Sequence, residues 1–224
     1  MNAHGSTSSW RARLRRGDAL SSPAEIDELA REWRPHRKET SSADEPFPLV
    51  DATGRVRPGL VAPRWLCHLL GLRHASVHVV LVAPSGLVVL QKRSLEKDTA
   101  PGLLDTSVGG HVGARTALAA AEAEMREELG LEPSALALPL EPLGAPFLAV
   151  DPRRDYVDAE VITAYLGRLA RGALDGVRFA DGEVTRLVLA PPDEVWRLLA
   201  RGDRALAAGA RAVLPRALAV LEAQ

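Results

Sequence analysis

Cysteine is almost absent: the 224-residue chain has one, Cys67. A single thiol excludes an intramolecular disulfide, and such sparing use fits a reducing compartment. Cys67 sits in the apolar run Trp65-Leu66-Cys67 and reads as a small packed side chain. Long hydrophobic runs are also missing. No stretch reaches the ~18 consecutive apolar residues of a membrane helix, so no membrane span is expected. Neither charge is in excess, with 28 basic against 29 acidic residues and a net charge of −1. Nucleic-acid-binding domains usually show a basic surplus, so nucleic acid is not an expected partner. Lysine is scarce, three residues against 25 arginines, which reads as the coding bias of a GC-rich genome. What remains is an ordinary globular mixture, 46% hydrophobic and 25% charged, which excludes disorder over the whole chain. The length allows one or two domains.

Residues 1–17 carry no acid and include Arg11, Arg13, Arg15 and Arg16. Without an apolar stretch this is not a secretory signal. Residues 1–22 read as a disordered tail, with a targeting segment as the alternative. Residues 23–46 read as a helix and a linker. Ser22 is the expected cap, Pro23 the first helical residue, and Ile26, Leu29 and Trp33 share one face. Residues 47–224 read as the main domain. It opens with a hairpin that turns at Gly54, and strands are predicted at 77–82, 87–93 and 103–108. The last of these is expected to break at Gly109-Gly110. Thr116 and Gly130 bracket a helix over 117–129. Strands near 137–149, 156–167 and 184–190 and helices over 193–201 and 205–222 follow. The order implies a mixed sheet with helices on both faces.

Projected as a helix, residues 117–129 put Leu118, Ala121, Met125 and Leu129 on one apolar stripe. Glu124, Glu127 and Glu128 converge on another face, at i, i+3 and i+4. Like charges at that spacing destabilise a helix by a few tenths of a kcal/mol each. No lysine lies nearby, and Arg126 points away. The cluster is either a solvated acidic face or a set neutralised by a divalent cation, for which Mg²⁺ is the best fit. A strand and a Gly-Gly pair just before the helix favour the second reading, because a backbone without side chains can approach metal or phosphate closely.

Residues 109–131 resemble the Nudix box: a Gly, five residues, Glu, seven residues, then Arg-Glu-aliphatic-X-Glu-Glu-X-Gly-aliphatic. Gly109 matches the first Gly, and Glu124, Met125, Glu127, Glu128, Gly130 and Leu131 match the second half. A looser likeness extends over about 47–200. The resemblance implies an α/β fold, a Nudix-type α/β/α sandwich with a mixed β-sheet. It also implies a hydrolase whose helix glutamates bind Mg²⁺ or Mn²⁺ while water attacks a diphosphate. Two positions depart from the pattern. Arg115 stands where the isolated Glu belongs and Ala123 where the Arg belongs, so the pair reads as a dispensable orienting ion pair. The flanks, including Gln91-Lys92-Arg93, Pro101-Gly102 and Gly110-His111, resemble the branch related to isopentenyl-diphosphate isomerase. That isomerase uses a Cys where Gly109 stands, so isomerisation is not expected.

Glu124, Glu127 and Glu128 are thus the candidate catalytic residues and metal ligands, with Gly109 as a backbone ligand. His78, His111 and Glu160 are further metal candidates, and His74 a weaker one. Their alternative is a structural role. Strand alternation sets Asp158 and Glu160 on one face. Lys92, Arg93, Lys97, Gly109 and Gly110 are candidates for phosphate binding. The expected activity is divalent-metal-dependent cleavage of a nucleoside or other organic diphosphate. A module that binds such a ligand without turning it over is the alternative. The expected partner is a small-molecule diphosphate. A homodimer stays open, and a cytoplasmic location is the default.

Overall fold

Thr116 and Gly130 act as expected in the computed structural model, which describes residues 10–37, 42–97, 99–153, 156–179 and 182–223. The Thr116 hydroxyl accepts from the Ala119 N–H, and Gly130 closes the helix in a left-handed conformation. In chain order the elements are α1 (Trp10–Ala19), α2 (Pro23–Trp33), β1 (Pro46–Val50), β2 (Val56–Pro63), α3 (Arg64–Leu70), β3 (His74–Val82), β4 (Val88–Arg93), β5 (Leu104–Asp105), β6 (Val108–His111), α4 (Ala117–Leu129), β7 (Glu141–Pro142), β8 (Phe147–Arg153), β9 (Tyr156–Arg168), β10 (Val184–Ala190), α5 (Pro192–Ala200) and α6 (Ala208–Glu222). The fold is mixed α/β with a mixed sheet. Two compact units form. One comprises the chain up to Ala75 together with Phe147–Val161, the other Ser76–Pro146 and the chain from Ile162 onward.

In the first unit β1 and β2 make the expected hairpin, with Gly54 at φ 85 in its turn. α2 begins at the Ser22 cap and buries Ile26 and Leu29. The expected tail is corrected at its end: residues 1–9 lie outside the described residues, but 10–19 are helix α1. Tertiary contacts explain it. Leu14 is buried, and Gly17 packs so closely that an added Cβ would lie 3.0 Å from the Leu72 side chain. Arg13 donates to the Leu69 carbonyl and Arg57 to the Gly17 carbonyl, at 3.1 and 2.9 Å. None of this has a local sequence signal. The short α3 was not expected either. It buries Trp65, Leu66 and Cys67, and Gly71 ends it at φ 66.

In the second unit β4 lies between β10 and β3, antiparallel to both. β6 pairs antiparallel with β3 and does not break at its glycines: His78 faces Gly109 and Val77 faces Gly110 in the ladder. α4 packs against β6. Its buried apolar residues are Ala120, Ala121, Ala123, Met125 and Leu129, whereas Leu118 is 45% exposed. Leu118 thus lies outside the buried face, although the periodicity places it on the same stripe.

Met125→Ala should therefore cost about 2–5 kcal/mol of folding stability. Leu118→Ala should stay within about 0.5 kcal/mol. Urea unfolding of both variants checks the assignment, and an equal loss in the two would contradict it.

Candidate active site

The site is built where α4 crosses β6, and the absence of two side chains makes the crossing possible. A Cβ on Gly110 would lie 2.5 Å from each carboxylate oxygen of Glu124. Glu124 can lie flat on the strand only because that position is glycine. Burial, reinforced by the charge of Glu127 and opposed by Arg115, pushes the Glu124 carboxyl up to about 7. Glu183 adds a further repulsive charge.

Glu128 is the buried member, 1% exposed. Its Oε2 accepts from the Gly109 N–H at 3.1 Å and from Gln91 Nε2 at 3.2 Å. Burial raises its pKa well above the ordinary carboxylate range, and Glu124 and Asp105 add to the rise. Glu127 lies at the surface, with Arg115 Nη1 3.9 Å from its Oε1. The three carboxylates expected to converge are thus graded in depth: Glu128 buried, Glu124 partly buried, Glu127 exposed.

Arg115 corrects the sequence reading. It stands where the resemblance implies a lost ion pair, yet its Nη2 donates to Glu124 Oε1 at 3.1 Å and makes a new one. With Arg115 on Glu124 and with Gly109 and Gln91 on Glu128, the three glutamates do not form a group whose donor atoms all lie within 4.8 Å, among the described residues. The donor set is still all oxygen and lies over a backbone without side chains. Mg²⁺ needs only one or two carboxylates beside water and phosphate, so the residues present fit a hard divalent ion.

The expected phosphate hands fare differently. Arg93 is anchored: Nη1 meets Asp105 Oδ2 at 3.0 Å, and Nε and Nη2 donate to the Thr99 carbonyl at 3.1 and 3.0 Å. It secures the segment after β4, so its guanidinium is engaged within the protein. Lys97 pairs closely with Glu183 and lies near enough to Glu128 to favour its ionised form. Lys92 neighbours Gln91 on β4, and alternation turns it to the face opposite Glu128. Gln91 is the residue that sequence reasoning missed. Its signal was a polar side chain in the buried part of a strand otherwise made of Val and Leu.

His78 meets Thr106, which is the structural alternative to its reading as a ligand. Thr106 Oγ1 donates to the Val108 carbonyl at 3.0 Å, so the 2.8 Å contact to His78 Nδ1 is donated by the histidine. The ring fills space that glycines leave open: a Cβ on Gly109 would lie 3.0 Å from Nδ1, and one on Gly209 2.6 Å from Nε2. His111 pairs with Ser76 in the ladder, and its carbonyl accepts from Arg115.

Glu160 belongs to a group in the first unit. His74, Asp158 and Glu160 bring one donor atom each within 4.8 Å of one another, and they could hold a metal ion. His74 Nδ1 lies 3.0 Å from the Leu72 carbonyl, so this nitrogen is the donor and Nε2 turns toward Asp158 Oδ1, 3.6 Å away. Burial lowers the pKa of His74 and raises that of Asp158. His68 Nε2 is 3.9 Å from the same oxygen, and Tyr156 donates to Asp158 Oδ2 at 3.1 Å. Cys67 is buried nearby, and burial and Asp158 push its thiol well up, so it is not a nucleophile.

The raised pKa of Glu124 sets the sign of a pH effect. The folded state binds this proton more tightly than the unfolded chain. The stability it contributes is full below about pH 4.5 and is lost as pH rises through about 7. Metal-free protein should unfold at lower urea concentration at pH 8 than at pH 5. Glu124→Gln should flatten part of that difference. An unchanged difference in the variant would contradict the assignment.

Residues 72–212 match the NUDIX domain family model. Nudix hydrolase 3 of Arabidopsis thaliana is 38% identical over 92 residues, which is 40% of this chain and 12% of that protein. The uncharacterized Nudix hydrolase YfcD of Escherichia coli K12 is 39% identical over 61 residues, 27% of this chain and 34% of the relative. The chain thus spans about an eighth and a third of these two proteins. Among solved structures, DR0079 from Deinococcus radiodurans superposes with a TM-score of 0.54 at 22% identity, covering 77% of this chain and 98% of that one. The MutT protein from Methanosarcina mazei Go1 gives 0.51 at 15% identity, covering 68% and 96%. Both likenesses are of fold. With more than half of its length under the family model and the glutamates of α4 laid on a Gly-Gly strand, the chain belongs to the NUDIX domain family, whose hydrolases cleave phosphoric anhydride bonds.

Proposed function

We propose that the chain is a divalent-metal-dependent hydrolase cleaving the phosphoric anhydride of a nucleoside or other organic diphosphate. The observation that carries this is Glu124, a carboxyl pushed up to about 7 and laid over Gly110 next to the buried Glu128. A base is most useful when its pKa lies near the working pH, so Glu124 can take the proton of an attacking water. Glu128 is held in one orientation by Gly109 and Gln91 and supplies a fixed oxygen toward the ion. Glu127, at the surface, completes the carboxylate set. Mg²⁺ or Mn²⁺, when bound, would neutralise phosphate charge and acidify water. Lys97, beside Glu183, is the cation best placed to meet a phosphate oxygen.

Two features support a second reading, a module that binds a diphosphate without cleaving it: Arg115 on Glu124, and Ala123 in place of the box Arg. Isomerisation has the least support, since Gly109 offers no proton donor. In the first unit, His74, Asp158 and Glu160 form a nitrogen and oxygen set suited to a borderline ion such as Zn²⁺ or to Mn²⁺. No helix among the described residues is long and apolar enough to cross a membrane. The cytoplasmic location and the homodimer remain readings of the sequence.

Phosphate release should be followed over a panel of nucleoside and organic diphosphates, with Mg²⁺ and with chelator. Release should depend on metal, and Glu127→Gln and Glu128→Gln should each lower it about a hundredfold or more without loss of fold. Full activity in both variants would overturn the roles. A ligand that raises the Tm of the chain and yields no product would select the second reading.

A further inference from the structure

Arg115 lies one residue before the Thr116 cap of α4. The turn Val112–Arg115 is closed by the Arg115 N–H to the Val112 carbonyl at 3.2 Å, with Gly113 in the left-handed region at φ 58. The side chain is pinned by backbone. Nη2 donates to the His111 carbonyl at 3.1 Å, and Nε to the Val112 carbonyl at 3.4 Å. The guanidinium is left between two carboxylates, with Nη2 3.1 Å from Glu124 Oε1 and Nη1 3.9 Å from Glu127 Oε1. A guanidinium keeps its charge at any working pH. Where the box pattern has a glutamate, this chain has a fixed cation, and the formal charge of the cluster moves two units toward positive.

We infer that Arg115 is a tethered cation that fills one cation position of the α4 carboxylate site. The site therefore takes a single divalent ion, and Arg115 sets how tightly. This rests on the metal-dependent reading above. Glu124 and Glu127 divide their charge between the guanidinium and the ion, while Glu128 keeps Gly109 and Gln91 as its partners. A pinned guanidinium differs from a mobile surface arginine because its position is fixed before any ion arrives.

Binding of Mn²⁺ to the metal-free full chain, counted by electron paramagnetic resonance of the free ion, tests this without any substrate. The comparison is made against Glu124→Gln, so that ions held elsewhere on the chain are subtracted. The wild-type chain should bind one ion that Glu124→Gln weakens. Arg115→Gln and Arg115→Glu should either gain a second such ion or bind the first about tenfold more tightly. Arg115→Lys, which keeps the charge, should stay with one. Position 115 is partly exposed, so all three variants should give the wild-type circular dichroism spectrum. Unchanged number and affinity in Arg115→Gln and Arg115→Glu, with the wild-type ion present, would overturn the inference and leave the metal-dependent reading standing. No Glu124-dependent ion in the wild-type chain would overturn both.

Discussion

The contact of the Glu124 carboxylate with the bare backbone of Gly110 is the constraint on which the site depends. Helices usually keep carboxylates in water, where ionisation costs nothing. Here α4 packs so closely on β6 that Glu124 is laid on the strand and Glu128 is driven beneath it. Both are then pushed toward the protonated form, because burial disfavours the charge, and Glu127 adds to the rise at Glu124 while Glu124 adds to that at Glu128. The sheet compensates in part by hydrogen bonds: the Gly109 N–H and Gln91 Nε2 aim at a single oxygen of Glu128. Electrostatic strain of this kind is stable when a cation is shared among the carboxylates, and functional sites often store it.

The glycines serve the packing in two directions. Gly110 admits a carboxylate from α4, and Gly109 admits the imidazole of His78, itself seated against Gly209 of α6. His78 thus backs the strand that carries the site. It fixes β6 through Thr106, which ties the imidazole to the Val108 carbonyl. The first unit has its own concentration of buried ionisable groups. His68 and His74 lie against Phe47, whose ring stacks on His74 with centroids 4.8 Å apart, and both histidines face Asp158, which Tyr156 bonds. A neutral histidine turned toward a carboxylic acid in an apolar setting is the arrangement that favours either a shared proton or a metal ion.

Local signals were legible in the sequence and tertiary ones were not. The limits of α4 follow from Thr116 and Gly130, since a cap depends only on neighbours within one turn. The bounds of β4 and β10 follow from runs of Val and Leu. Leu118 was misplaced because periodicity shows which residues could face inward, while only a packing partner decides how far the buried face extends. α1 was read as a tail because its hydrogen bonds come from Arg57 and its packing from Leu72, far along the chain. The face of α4 that carries Glu124, Glu127 and Glu128 follows from their spacing. The sequence shows Arg115 only as a departure from the pattern: a loop residue nine positions from Glu124 meets it because the turn at Gly113 folds the side chain back. The pairing of Arg93 with Asp105 on the adjacent β5 is likewise tertiary and has no local signal.

The close crossing of α4 and β6 is what assembles the cation site. The direct measurement is the affinity of metal-free protein for Mn²⁺ in the wild type and in Gly110→Ala, by electron paramagnetic resonance with circular dichroism as the check on folding. A methyl group at position 110 must displace the Glu124 carboxylate, so affinity should fall about tenfold or more while the fold persists. Equal affinity in a folded Gly110→Ala protein would show that Glu124 and the glycine beneath it do not build the site.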